Sequence, residues 1–125
     1  MPESSGPSKS QRFADAEAAL MRNNLPAARA IYRELLAGSD VDHATAIRIA
    51  EGLYRSRDFQ GTIQAFDRAG ALRRGEEPYH YYRAVALYES GRYEEAKREL
   101  AAALPFIEVT PDVERYRAKI EGALE

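Results

Sequence analysis

Residues 81–104 read YYRAVALYESGRYEEAKRELAAAL, and the stretch 34 positions earlier, 47–70, reads IRIAEGLYRSRDFQGTIQAFDRAG. Another 34 positions back, residues 13–36 read FADAEAALMRNNLPAARAIYRELL. Aligned without insertion or deletion, the three stretches place small residues together at Ala16, Ala50 and Ala84. Large ones fall together at Tyr32, Phe66 and Leu100, at Leu20, Tyr54 and Tyr88, and at Leu25, Phe59 and Tyr93; a fifth set is Leu35, Ala69 and Ala103. A fixed period of this length marks stacked units, each unable to bury its apolar face alone. The expected fold is therefore an all-α solenoid of three helical hairpins.

The local signals agree. Phe13, Ala16, Ala19 and Leu20 form an apolar stripe at helical spacing. Asn23-Asn24 ends that helix, because asparagine tolerates the left-handed conformation of a helix end, and Pro26 suits the first turn of the next. Asp40 or Asp42 can cap the third helix, which carries Ile47, Ala50, Leu53 and Tyr54. The fourth is expected from about Gln60 to Leu72, the fifth to end at Gly91, and the sixth to start at Tyr93 with Glu94 and Glu95 at its positive end. Thr110-Pro111-Asp112 opens a seventh helix running to about Leu124, read as a cap, with Ala118 in register with Ala84. Residues 1 to about 9, rich in Pro, Ser and Gly, read as a disordered tail. The repeats span about 9–42, 43–76 and 77–110, and the capping helix 111–124.

Composition narrows the function. The 125 residues suffice for one domain, with 45% apolar and 30% charged residues. A formal charge of −2 gives no reason to expect a nucleic-acid backbone or an anionic membrane as partner. Without cysteine there is no disulfide or thiolate metal site. The opening residues carry no apolar segment of signal-peptide type, so the expected location is cytoplasmic.

Gly91-Arg92-Tyr93-Glu94-Glu95-Ala96, with Ala84, Ala96 and Ala103, resembles the tetratricopeptide repeat, a family of 34-residue helix-turn-helix units. The middle unit matches through Ala50, Phe59, Thr62, Phe66 and Ala69, and the first through Ala16, Ala28, Tyr32 and Leu35. Departures from the family pattern are Arg12, Ala46 and His80 in place of an early aromatic, Asp15 and Arg83 in place of a large aliphatic, and no proline at Asp40, Arg74 or Glu108. The resemblance implies a right-handed superhelix whose first helices line a concave groove. It implies a peptide-binding face made of Phe13, Glu17, Leu20 and Met21, then Ile47, Glu51, Tyr54 and Arg55, then Tyr81, Val85, Tyr88 and Glu89, with Arg115 and Lys119 from the last helix. The positions that clamp a chaperone C-terminal carboxylate in one subclass hold Phe13, Glu17, Arg48, Pro78 and Tyr82, of which only Arg48 suits that task.

No motif suggests an enzyme, a metal or a cofactor. His43 and His80 have no ligand neighbour at zinc spacing, and no phosphate loop or nucleophile turn is present. Tyr93 reads as core, and Glu51 with Arg55 as an i,i+4 pair. The expected function is a non-enzymatic scaffold or adaptor that holds a segment of a protein partner. The alternatives are a homo-oligomerising module and a secretion-type chaperone.

Overall fold

The computed structural model describes residues 8–125. They form seven α-helices: α1 (Lys9–Met21), α2 (Leu25–Leu36), α3 (His43–Arg55), α4 (Phe59–Ala69), α5 (Tyr79–Glu89), α6 (Tyr93–Ala103) and α7 (Pro111–Ala123). One 3-10 turn, Leu104–Phe106, follows α6, and no strand occurs among the described residues. Residues 1–7 of the expected tail lie outside the described part, while Ser8 and Lys9 already belong to the cap and first turn of α1. No helix among the described residues is long and apolar enough to cross a membrane.

Helix starts follow the residues that cap them. Ser8, Asn24, Asp42, Asp58 and Thr110 each accept a hydrogen bond from the backbone N–H three positions on, at 3.1, 3.3, 2.9, 3.0 and 3.3 Å. Of the two aspartates considered for α3, the cap is Asp42. At α6 the cap position is Arg92, whose guanidinium instead grips Glu95 with two 2.8 Å hydrogen bonds. The acids Glu94 and Glu95 occupy the first turn, where the helix dipole favours them.

The sequence period has a direct structural counterpart in the turns. Asn23, Arg57 and Gly91, spaced 34 apart, all have positive φ, at 57°, 63° and 81°. In each turn the next residue's N–H reaches back five residues: Asn24 to the Ala19 carbonyl, Asp58 to Leu53 and Arg92 to Leu87, all at 2.8 Å. The same left-handed residue and the same five-residue closure therefore join α1 to α2, α3 to α4 and α5 to α6.

Each hairpin closes over small residues. Ala16, Ala50 and Ala84 have no exposed surface, nor do Ala28, Thr62 and Ala96 on the facing helices. Tyr32, Phe66 and Leu100 are buried beside them at 1, 0 and 4% exposure. Consecutive helices touch along the chain, and α1 also meets α3 while α3 meets α5, as expected of a helical repeat. A close approach falls at Gly52, where a Cβ would overlap the Tyr32 ring. The α2–α3 seam thus depends on a missing side chain.

Asp58 and His43 add polar ties. Asp58 is 8% exposed and receives the Arg33 guanidinium, with the Arg33 Nη2 2.7 Å from Oδ1, besides the Gly61 N–H. Burial alone would raise its pKa, but the Arg33 and Gly61 hydrogen bonds win and hold it below the usual carboxylate range. His43 Nδ1 lies 2.8 Å from the Ala69 carbonyl oxygen and Nε2 lies 2.8 Å from Glu76 Oε1. Only the imidazolium donates to both, so the Ala69 carbonyl and then Glu76 raise the His43 pKa.

Three expectations are corrected. Helix α4 stops at Ala69 rather than Leu72, because Gly70 turns the chain at φ 84° and Glu76 draws the Arg73 N–H to it at 2.7 Å. Ala118 is exposed, and α7 buries Val113 and Ile120 instead. No further helix crosses α7 there, so a small residue at that position has no seam to serve. Tyr93 is 38% exposed rather than core, resting against Tyr88 on the outside of the α5–α6 turn.

Gly52→Ala is expected to cost about 1–3 kcal/mol through overpacking against Tyr32, read as a lower urea midpoint. Gly122→Ala, in open space, should be neutral or slightly stabilising. A Gly52→Ala variant as stable as wild type would refute the tight seam. The raised pKa of His43 stabilises the fold fully below about pH 6.5, and that contribution fades as pH rises through the folded value. The melting temperature should therefore drop as pH rises above about 6.5, and drop less in His43→Gln. Parallel curves for the two proteins would exclude the His43 clasp.

Candidate functional site

A cleft of about 570 Å³ opens where the α1–α2 turn, the C-terminal end of α3, the middle of α5 and the start of α7 converge. Asn23 and Leu25 form one end. Tyr54, Phe59, Tyr81 and Tyr116 form the walls, Val85 lies at the floor, and Arg55, Arg57 and Arg115 stand around it with Thr110 and Asp112. The volume falls in the range of about 300–1,000 Å³ typical of ligand clefts.

The walls belong to a larger aromatic array. Tyr54 stacks on Tyr82 with centroids 4.3 Å apart and planes within 5°, and meets Phe59 edge-on at 6.2 Å. Tyr82 continues to Tyr79 at 5.5 Å and to Tyr81 at 6.4 Å. Tyr116 of α7 then joins Tyr81 at 6.5 Å to Tyr88 at 5.9 Å. Edge-to-face packing of this kind contributes about 0.5–1.5 kcal/mol per pair beyond the area it buries. The array holds the cleft walls rigid and places α7 against α5.

Three guanidiniums border the cleft, and two of them already face a carboxylate. Arg55 lies 3.8 Å from Glu17, both about half exposed. Arg57 places its guanidinium 5.1 Å over the Phe59 ring and has no carboxylate partner among the described residues. Arg115 pairs with Asp112, one turn away on α7. Desolvation, reinforced by neighbouring tyrosines, raises the Tyr54 pKa well above the ordinary value, against the opposing charge of Arg57. Burial, then the 2.8 Å hydrogen bond from the Tyr116 hydroxyl to Glu89, pushes Tyr116 up to about 12. The hydroxyls of Tyr54 and Tyr81 have no hydrogen-bond partner among the described residues, so both are free to donate.

The expected face divides into three groups. Tyr54, Arg55, Tyr81, Val85 and Arg115 come together in the cleft. Phe13 and Ile47 do not: they are 3 and 6% exposed within the first core cluster, and the Arg48 guanidinium covers the Phe13 ring at 4.1 Å. Contact between α1 and α3 consumes the surface that a wider groove would have shown. Glu17, Leu20, Met21, Glu51, Tyr88, Glu89 and Lys119 lie outside the cleft lining. Glu17 is tied to Arg55, Met21 is 85% exposed, and Glu51 meets the Tyr79 hydroxyl at 3.5 Å rather than Arg55. Tyr88 packs between Tyr93 and Tyr116.

Sequence reasoning missed Tyr116, Arg57 and Phe59 as cleft residues. Tyr116 neighbours Arg115 but belongs to a helix whose rotation departs from the repeat register. Arg57 and Phe59 belong to the turn and the second helix, outside the first-helix face on which the expectation rested. A smaller apolar hollow of about 360 Å³ lies behind Tyr81 and Tyr82, bounded by Pro78, Ile107 and Val113.

Because the folded state holds the tyrosine proton more tightly than the unfolded chain, stability should fall as pH rises above about 10. The urea midpoint is expected to drop between about pH 10 and about 12, and to drop less in Tyr116→Phe. Equal alkaline losses in the two proteins would show that Tyr116 is not held in this environment.

Compared with models of known protein families, with curated proteins and with solved structures, the chain gives no match.

Proposed function

We propose that this chain is a non-enzymatic protein-interaction module of tetratricopeptide type. Its three hairpins stack as a right-handed superhelix closed by α7, and its concave side grips an extended or helical segment of a partner protein. Several observations support this reading. The turn geometry repeats every 34 residues, at Asn23, Arg57 and Gly91. First helices of successive hairpins meet, α1 with α3 and α3 with α5.

The observation that carries the functional part is the aromatic cleft. Tyr54, Phe59, Tyr81 and Tyr116 converge from two hairpins and the last helix around one opening, over the Val85 floor. Rigid aromatic rings with polar tips, ringed by arginine, make the composition typical of interface anchors. The two histidines are each engaged by a single glutamate, His43 by Glu76 and His80 by Glu99, both at 2.8 Å. Neither histidine lines the cleft, whose one carboxylate, Asp112, is paired with Arg115.

Site-specific photocrosslinking tests the reading. Benzoylphenylalanine in place of Arg55, at the cleft, should give discrete protein adducts in a lysate of the native host. The same group in place of the exposed Ala30 on α2 should give none in common with it. Tyr81→Ala combined with the Arg55 probe is expected to reduce adduct yield about tenfold with helix content retained. Identical adducts from positions 55 and 30 would move the interaction off the cleft.

A further inference from the structure

The cleft and the chain differ in charge. The whole sequence carries −2. Three guanidiniums, of Arg55, Arg57 and Arg115, line the cleft against one carboxylate, that of Asp112. Asp112 is occupied by Arg115 one turn away, and Glu17 lies a loose 3.8 Å from Arg55. Arg57 has only the Phe59 ring beneath it, at 5.1 Å. Its backbone also adopts φ 63°, at a turn whose counterparts are asparagine and glycine. An arginine there spends conformational energy without gaining an ion pair among the described residues. The free hydroxyls of Tyr54 and Tyr81 are further donors aimed at the same space.

We infer that the occupant of the cleft is an acidic peptide segment: one apolar or aromatic side chain flanked by aspartate or glutamate. This rests on the peptide-capture reading and specifies its partner. The anchor enters between Tyr54, Phe59 and Tyr81 onto Val85. Carboxylates on one side of it reach Arg55 and Arg57, where the guanidinium fork matches carboxylate geometry, and one on the other side reaches Arg115. These residues differ from the positions that clamp a C-terminal carboxylate in the resembling family, so the acids recognised here are side chains within a segment.

A single-stranded nucleic acid would also seek arginine and aromatic rings, but it needs free ring faces for base stacking. Here the Tyr54 face is covered by Tyr82 at 4.3 Å, and Tyr81 and Tyr88 meet Tyr116 at interplanar angles of 84° and 81°. Three guanidiniums around one opening also do not form the track that a phosphate backbone follows. The geometry favours the peptide.

The test is panning of a random library of roughly 12-residue displayed peptides against the whole chain and against Arg55→Gln/Arg57→Gln/Arg115→Gln, both checked for helix content. Wild type should enrich sequences with aspartate or glutamate on both sides of one large apolar residue. A synthetic peptide of that sequence should lose about tenfold or more in affinity in the triple variant, by fluorescence anisotropy. It should also weaken as sodium chloride rises from about 50 to about 500 mM. Neutral or basic winners, or unchanged affinity in the folded triple variant, would overturn the acidic specificity while leaving peptide capture standing. Absence of any enrichment would overturn both. An oligothymidylate that binds wild type and fails on the triple variant, with no acidic peptide enriched, would replace the peptide by nucleic acid.

Discussion

The structure depends on how closely two helices can approach when neither brings a side chain larger than a methyl group or a threonine to the crossing. Ala16, Ala50 and Ala84 meet Ala28, Thr62 and Ala96 in three successive hairpins with no exposed surface left. At such distances the backbones are fixed and the large residues must go elsewhere. Tyr32, Phe66 and Leu100 are buried beside the crossing, and Tyr54, Tyr81, Tyr82 and Tyr116 gather where the second hairpin, the third and α7 meet. Gly52 extends the same rule to the next seam, where the Tyr32 ring occupies the volume a side chain would need. Interiors this dense leave few alternative arrangements, so the rest of the geometry follows from those contacts.

The site is a by-product of that packing. Rings displaced from the crossings gather where α3, α5 and α7 approach one another, and they brace one another edge to face. Because α7 reaches α5 through Tyr116, a space remains between them in place of a closed seam. Arginines occupy its borders since their long stems can lie along apolar walls with the charge kept in water. Shape and charge of the cleft thus come from different sources: the shape from where the bulk could not go, the charge from residues that packing left free to vary.

Much of this was legible in the residues. Register and local signals identified the crossing alanines, the breaks at Asn23-Asn24 and Gly91, and the cap Thr110, because each rests on local chemistry. Five expected cleft residues, Tyr54, Arg55, Tyr81, Val85 and Arg115, came together. Phe13 and Ile47 did not, because periodicity states which way a residue points but not how near the next hairpin stands. Tyr93 shows the reverse: a large residue in good register is left 38% exposed, with the Tyr88 ring beside it. Tyr116 was invisible since α7 has no repeat partner to set its rotation. Long side chains that bridge two elements are read from three-dimensional proximity, and a one-dimensional pattern does not contain it.

Arg57 carries a consequence for how this sequence can drift. Its equivalents, Asn23 and Gly91, are residues that tolerate a left-handed backbone, and their identities follow from that requirement alone. At position 57 the same requirement is met by a residue poorly suited to it, whose guanidinium lies over the Phe59 ring and meets no carboxylate among the described residues. Asparagine or glycine at position 57 would relax the backbone, at the loss of the guanidinium that lies over the Phe59 ring at the mouth of the cleft.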